Sequence, residues 1–264
     1  MGLTAQDLQK IWDSCYIENF ISEMLGVLEY VEKVDPLNTI IEIGTGLGGS
    51  ARVWEASLPP GDGLFIGVDH NLDIVGRWAG KVEAITSCTP CRTGNWEVEW
   101  QKDNVVKFKS DRQVYLVIGD SAAPETAHTV KSLLQERLAD FLYHDGAHWF
   151  HTPCWDYHYF QHMIRDGGLL CVADIGGLTE DPMSGCQAVY YSLPEPKVPK
   201  VSGHRQGMGM WYKQPGYIFD AQETIDRFQV VGTDAEKQAR RAELGLPDEH
   251  EQDRLAELER QRNK

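Results

Sequence analysis

The residues of this chain that could do chemistry fall mostly where short apolar runs stop. Thr39-Ile40-Ile41-Glu42-Ile43 runs into Gly44-Thr45-Gly46-Leu47-Gly48-Gly49, and Leu64-Phe65-Ile66-Gly67-Val68 is closed by Asp69. Val114 to Ile118 leads into Gly119-Asp120-Ser121, Phe141 to His144 ends at Asp145, and Gly168 to Ala173 ends at Asp174. Glycines at 44, 46 and 48 or 49 let a backbone turn tightly and approach a ligand closely. A helix opening from such a loop points unpaired N–H groups at the same place. Asp69 can accept both hydroxyls of a ribose, as acids at the end of a second strand do in open α/β sheets. Gly44, Gly46 and Gly49 also satisfy the dinucleotide fingerprint, so the loop alone does not name its ligand. A bare strand-to-helix turn is a further reading. Glu42 separates these. A carboxylate there would repel a pyrophosphate, whereas it suits a cofactor carrying an ammonium and a sulfonium. Asp120 has a plain reading too, as the N-cap of a helix from Ala122 to Leu134.

These side chains need a scaffold that brings strand ends together. Apolar runs alternating with helical segments predict βαβ units and a mostly parallel sheet covered on both faces, a doubly wound α/β fold. The runs above supply five strands. Cys186 to Leu193 and Gly207 to Lys213 are expected to add a closing antiparallel hairpin, giving a seven-stranded sheet. Leu8, Ile11, Trp12, Cys15, Phe20, Ile21, Met24, Leu25, Leu28 and Val31 recur at helical spacing, so residues 1–36 form an N-terminal helical segment. Residues 37–233 form the main domain, in which 76–112 is longer than one crossover requires. Residues 234–264 carry seven basic and nine acidic residues and no aromatic one, which reads as a solvated helix or a disordered extension.

Of the 264 residues, 42% are hydrophobic, enough for a substantial core. The net charge of -15 argues against a protein that grips long nucleic acid. No apolar run is long enough to span a bilayer, and the N-terminus does not read as a signal peptide. Six scattered cysteines suit reduced thiols, so a cytoplasmic protein is expected, with no membrane partner.

The stretch from Ile41 to Ser50 resembles the first motif of class I S-adenosylmethionine-dependent methyltransferases. Leu116 to Ser121 (LVIGDS) is similar to the segment that holds the adenine. Ala139 to His148 (ADFLYHDGAH) and Arg165 to Asp174 (RDGGLLCVAD) look like the fourth and fifth strands of small-molecule O-methyltransferases, closest to the macrolide, catechol and cephalosporin-hydroxylase-like group. The resemblance covers residues 37–176 and implies a Rossmann-like sheet. It implies S-adenosyl-L-methionine as cofactor and a small-molecule hydroxyl as acceptor, in a chain that could be a homo-oligomer. Gly44, Gly46 and Gly48 would line the methionine portion with Glu42 beneath the loop, Asp69 would hold the ribose, and Asp120 with Ser121 the adenine.

Methyl transfer from a sulfonium is an in-line displacement, and a hydroxyl is a poor nucleophile until its proton leaves. Some relatives bind a divalent cation on strand-end carboxylates for this purpose. Asp145 and Asp174 could share such an ion, and oxygen ligands would favour Mg2+ or a similar cation. Relatives place a third acid or amide beside the second Asp. Here the neighbours are Ala173 and Ile175, so water or a residue such as His144 would have to complete the shell. His148 stands where relatives put a general base. It is one of five histidines, with His144, His151, His158 and His162, crowded into one segment. Trp149 or Phe150 could wall the acceptor pocket, and Gly203 to Trp211 could form a loop over it. Cys88 and Cys91 have ligand spacing but no second pair, which favours plain thiols. Two other functions stay open: a nicotinamide-dependent oxidoreductase, which leaves Glu42, Asp120 and the Asp145/Asp174 pair unused, and a non-catalytic relative that keeps the cofactor fold.

Overall fold

The structure, a computed structural model, describes residues 3–15, 21–71, 73–79, 84–86, 89–91, 96–175, 184–201, 207–229 and 233–243. Two helices lead: α1 (Ala5–Ser14), opened by a Thr4–Asp7 capping box, and α2 (Ile21–Val31). Strand and helix then alternate through β1 (Thr39–Ile43), α3 (Gly49–Ser57), β2 (Leu64–Asp69) and α4 (Ile74–Trp78). The long stretch after α4 carries β3 (Ala84–Thr86), β4 (Thr89–Cys91), β5 (Val98–Lys102) and β6 (Val105–Phe108). Alternation resumes with β7 (Gln113–Ile118), α5 (Pro124–Leu134), β8 (Ala139–His144), α6 (His151–Phe160) and β9 (Ile164–Val172). The chain closes with α7 (Gly185–Ser192), β10 (Val198–Val201), β11 (Met208–Tyr212), α8 (Ala221–Phe228) and α9 (Asp234–Glu243).

The main sheet has the order β10-β11-β9-β8-β1-β2-β7-β6-β5. Its centre, β9 to β7, is parallel. Both flanks are antiparallel. The α/β expectation holds, with nine strands in place of seven, because the 76–112 stretch folds back as the β5–β6 hairpin and extends the sheet past β7. The closing hairpin is also different from expectation. Cys186 to Ser192 lies in α7, and the partner of β11 is β10. Cys88 and residues 203–206 of the glycine-rich Gly203 to Trp211 segment lie outside the described residues, as do the side chain of Cys91 and the chain after 243. Cys15, Cys154, Cys171 and Cys186 are buried free thiols. Among the described residues no helix is long and apolar enough to cross a membrane.

Period-two alternation sorts the strand residues onto two faces. Ile41, Ile43, Leu64, Ile66, Val68 and Leu170 pack with side chains of α5, α6, α7 and α8. Ile40, Phe65, Val114, Phe141, Tyr143 and Leu169 pack with Leu8, Met24, Leu28, Trp54 and Trp78 of the first four helices. Each such side chain contributes about 1.5–3 kcal/mol on leaving water. Asp140 clips the lower rim: Oδ2 accepts from Asn38 N at 2.7 Å and Thr39 N at 2.9 Å, and Oδ1 accepts from Arg165 Nε at 2.6 Å. From β1 the chain winds outward to β2 and β7 on one side and β8 and β9 on the other. That reversal opens a crevice at the carboxyl ends of the strands.

Candidate functional site

The crevice holds a cavity of about 380 Å³, within the range of small-molecule sites. Gly44, with φ +81°, turns the chain out of β1. A Cβ added to Gly44 would stand 2.3 Å from the Asp145 carbonyl oxygen and 2.4 Å from Gly146 Cα, so only glycine lets the two strand-end loops touch. Gly48, at φ +80°, is the N-cap of α3 and offers no side chain to the first turn. The residues of that first turn, Gly49 and Ser50, line the cavity instead. Trp78 props the loop from below, stacked on Trp96 at 5.2 Å and Phe108 at 5.1 Å between ring centroids. A Cβ on Gly48 would press on the Trp78 ring at 3.0 Å.

At the end of β2, Asp69 Oδ2 accepts from Gly46 N at 3.1 Å and Oδ1 from Asn71 N at 2.9 Å. Its carboxylate is thereby fixed at the cavity wall, with His70 beside it. Beyond β7, Asp120 Oδ1 accepts from Ala122 N at 3.0 Å, forming a turn that precedes α5. The N-cap of α5 is Ala123, so the capping role considered for Asp120 is taken by a residue without a polar side chain. Asp120 and Ser121 both border the cavity.

Glu42 lies elsewhere. It is fully buried under the loop, and Trp54 Nε1 donates to its Oε1 at 3.2 Å. Burial pushes its carboxyl from an ordinary 4.5 up to about 8, against the pull of the Ser50 hydroxyl and the Trp54 indole. Trp54 also packs on Phe141 and Tyr143, with centroids 5.0 Å away in each case. The buried Tyr143 hydroxyl donates to Asp145 Oδ2 at 3.2 Å. Burial, then the Asp145 charge, pushes that phenol well above its ordinary range, so it remains a donor. Glu42, Trp54, Tyr143 and Asp145 therefore form a chain of contacts beneath the loop.

Asp145 borders the cavity and also joins a second group. One ligand atom each from Asp145, His148 and Asp174 lie within 4.8 Å of one another, all three residues being partly buried. His148 Nε2 stands 3.0 Å from Asp174 Oδ2. Asp174 adopts φ +56°, a left-handed conformation that Asp tolerates better than most residues and that is often found at ligand sites. Two carboxylates and an imidazole are a donor set that fits a divalent cation.

Most of the residues singled out in the sequence meet here. Gly44, Gly46, Asp69, Asp120, Ser121 and Asp145 line the cavity, and His148 and Asp174 cluster with Asp145. Glu42 and Gly48 shape the loop without lining the cavity. Trp149 lies at the rim, 78% exposed, whereas Phe150 packs against the core. His144 does not complete the carboxylate pair. It is buried, with Nε2 2.8 Å from Asp156 Oδ2 on α6. Leu47, His70, Gly146, Ala147 and Thr152 also line the cavity. Gly146 carried a signal that went unread, a glycine directly after a strand-end acid.

A family profile described as "Methyltransferase domain" matches residues 41–175. No curated protein matches the chain. Among solved structures, the chain is similar to MycE methyltransferase of the mycinamycin biosynthetic pathway, solved with Mg, SAH and mycinamycin VI. The identity is 15% and the TM-score 0.50, over 80% of this chain and 56% of that one, so it spans little more than half of MycE. A candidate O-methyltransferase from Klebsiella pneumoniae is 15% identical over 81% of this chain and 91% of that chain, with a TM-score of 0.50. A candidate caffeoyl-CoA O-methyltransferase from Staphylococcus aureus is 13% identical over 80% and 93%, also at 0.50. At these identities the likeness is one of fold.

Proposed function

We propose that this chain, which belongs to the family of methyltransferase domains, moves the methyl group of S-adenosylmethionine to a hydroxyl of a small molecule. The observation that carries this reading is one cavity bordered by the glycine loop, Asp69, Asp120 and Asp145 together. Gly44, Gly46 and the uncapped first turn of α3 would receive the methionine end, Asp69 the ribose hydroxyls, and Asp120 with Ser121 the adenine. Glu42 would act from beneath, holding Trp54 and through it the floor of the site. Residues 37–233 would form the catalytic unit, with 1–36 as its helical cover and 234–264 as an appendage.

The acceptor would enter beside Asp145, where its hydroxyl meets the Asp145–His148–Asp174 group. Tyr143 fixes the Asp145 carboxylate, and the strained turn at Asp174 aims the second one. A divalent cation held by Asp145 and Asp174 would lower the pKa of the acceptor hydroxyl. The magnesium and SAH in the MycE structure accord with this division of the site. The oxidoreductase reading gives no work to Asp120 or to the Asp145–Asp174 pair.

Transfer of radiolabelled methyl from S-adenosylmethionine to a panel of phenols, catechols and hydroxylated natural products tests the proposal. Asp145→Asn and Asp174→Asn should each lower turnover by about 100-fold or more, the scale of a lost proton-transfer function. Their affinity for S-adenosylhomocysteine should stay within roughly three-fold, because cofactor contacts lie mainly elsewhere. Full turnover in both variants would move the chemistry to another part of the cleft.

A further inference from the structure

On the reading of this cleft as a methyl-transfer site, we propose that His148 is a metal ligand. The Asp145–His148–Asp174 group would then be a mixed nitrogen and oxygen site that selects a divalent transition-metal cation such as Mn2+ over Mg2+.

The geometry suits three ligands better than a base and its orienting acid. His148 Nε2 is buried and 3.0 Å from Asp174 Oδ2, yet the pair does not meet hydrogen-bond geometry. An imidazole steered by a carboxylate would make a straight N–H···O bond. Two donors each roughly 2.1 Å from a shared ion, at right angles, stand roughly 3 Å apart. The third donor, from Asp145, falls within the same 4.8 Å compass. Among the described residues, the positions beside the two carboxylates supply no further oxygen donor. Ala173 and Ile175, which flank Asp174, are buried apolar side chains. His144, next to Asp145, is engaged with Asp156. Among the described residues, His148 is the donor that completes the set.

Ligand chemistry then sets the preference. Mg2+ favours oxygen donors in a near-ideal octahedron, whereas imidazole suits first-row transition metals. With its Nε2 lone pair committed to the ion, His148 does not take the acceptor's proton. Its role would be to set which ion the two carboxylates hold.

The test is calorimetric titration of the metal-free, full-length protein with MnCl2 and with MgCl2, followed by the same titrations on His148→Ala and His148→Asp. Mn2+ should bind at least about ten-fold more tightly than Mg2+. His148→Ala should weaken Mn2+ by at least about ten-fold, and His148→Asp, which restores an oxygen donor, should narrow the Mn2+ to Mg2+ ratio. Should either variant fail to fold, Co2+ added to the native protein should still give contact-shifted imidazole resonances by NMR. Equal affinity for the two ions, unchanged Mn2+ affinity in His148→Ala, or no shifted imidazole signal would overturn the assignment. S-adenosylhomocysteine titrated into the same native sample separates the two readings. If it fails to bind while Mn2+ still depends on His148, the methyltransferase reading falls and the metal site stands.

Discussion

Glu42 is expected beneath the glycine loop, serving a cationic cofactor. The side chain does lie beneath the loop, fully buried, where it holds Trp54. Because burial raises its pKa from 4.5 to about 8, the folded chain keeps a proton between those values that the unfolded chain has lost. Its contribution is therefore fully present below pH 4.5 and is lost as pH rises through 8, with an upper bound of about 5 kcal/mol. Glu42→Gln mimics the protonated acid. Its melting temperature relative to the native protein should climb as pH goes from 5 to above 8 in the absence of cofactor. A difference that does not vary with pH would mean that Glu42 is charged in the fold. The acids at strand ends were legible because each follows an apolar run directly. What each one touches was not, because Tyr143 reaches Asp145 and Asp156 reaches His144 only once strands and helices are assembled.

At the scale of elements, the parallel centre of the sheet could be read from runs such as Thr39 to Ile43 and Phe141 to His144. The edges could not. Val98 to Lys102 leaves most of its side chains exposed, so it lacks the apolar signature of a central strand. Cys186 to Leu193 is expected as a hairpin strand, yet Ser184 and Gln187 have capping-box spacing and close one at the start of α7. One side chain, Asp140, ties the starts of β1, β8 and β9 together. Asp140→Ala would leave the Asn38 and Thr39 N–H groups and Arg165 without their acceptor. It should cost about 2–4 kcal/mol in urea unfolding. An unchanged midpoint would show that the clip is ornamental.

For the molecule as a whole, the charged C-terminal segment is expected to add little stability. Helix α9 is capped by Thr233 and Glu236, and Arg240 reaches the Arg227 carbonyl at 3.1 Å, a thin tie to the body. Truncation after residue 232 should move the melting temperature by no more than about 2 °C. A large fall would mean that the segment docks on the body or on a partner. The cofactor crevice, by contrast, collects residues from across the sheet, and the molecule it takes defines the chemistry of the whole chain. Titration of S-adenosylhomocysteine into the native protein and into Asp69→Ala, with a nicotinamide dinucleotide as comparison, identifies that molecule. S-adenosylhomocysteine should bind at a single site, and Asp69→Ala should weaken it by at least about ten-fold through loss of charge-assisted bonds to the ribose. Tighter binding of the dinucleotide than of S-adenosylhomocysteine by the native protein would contradict this expectation.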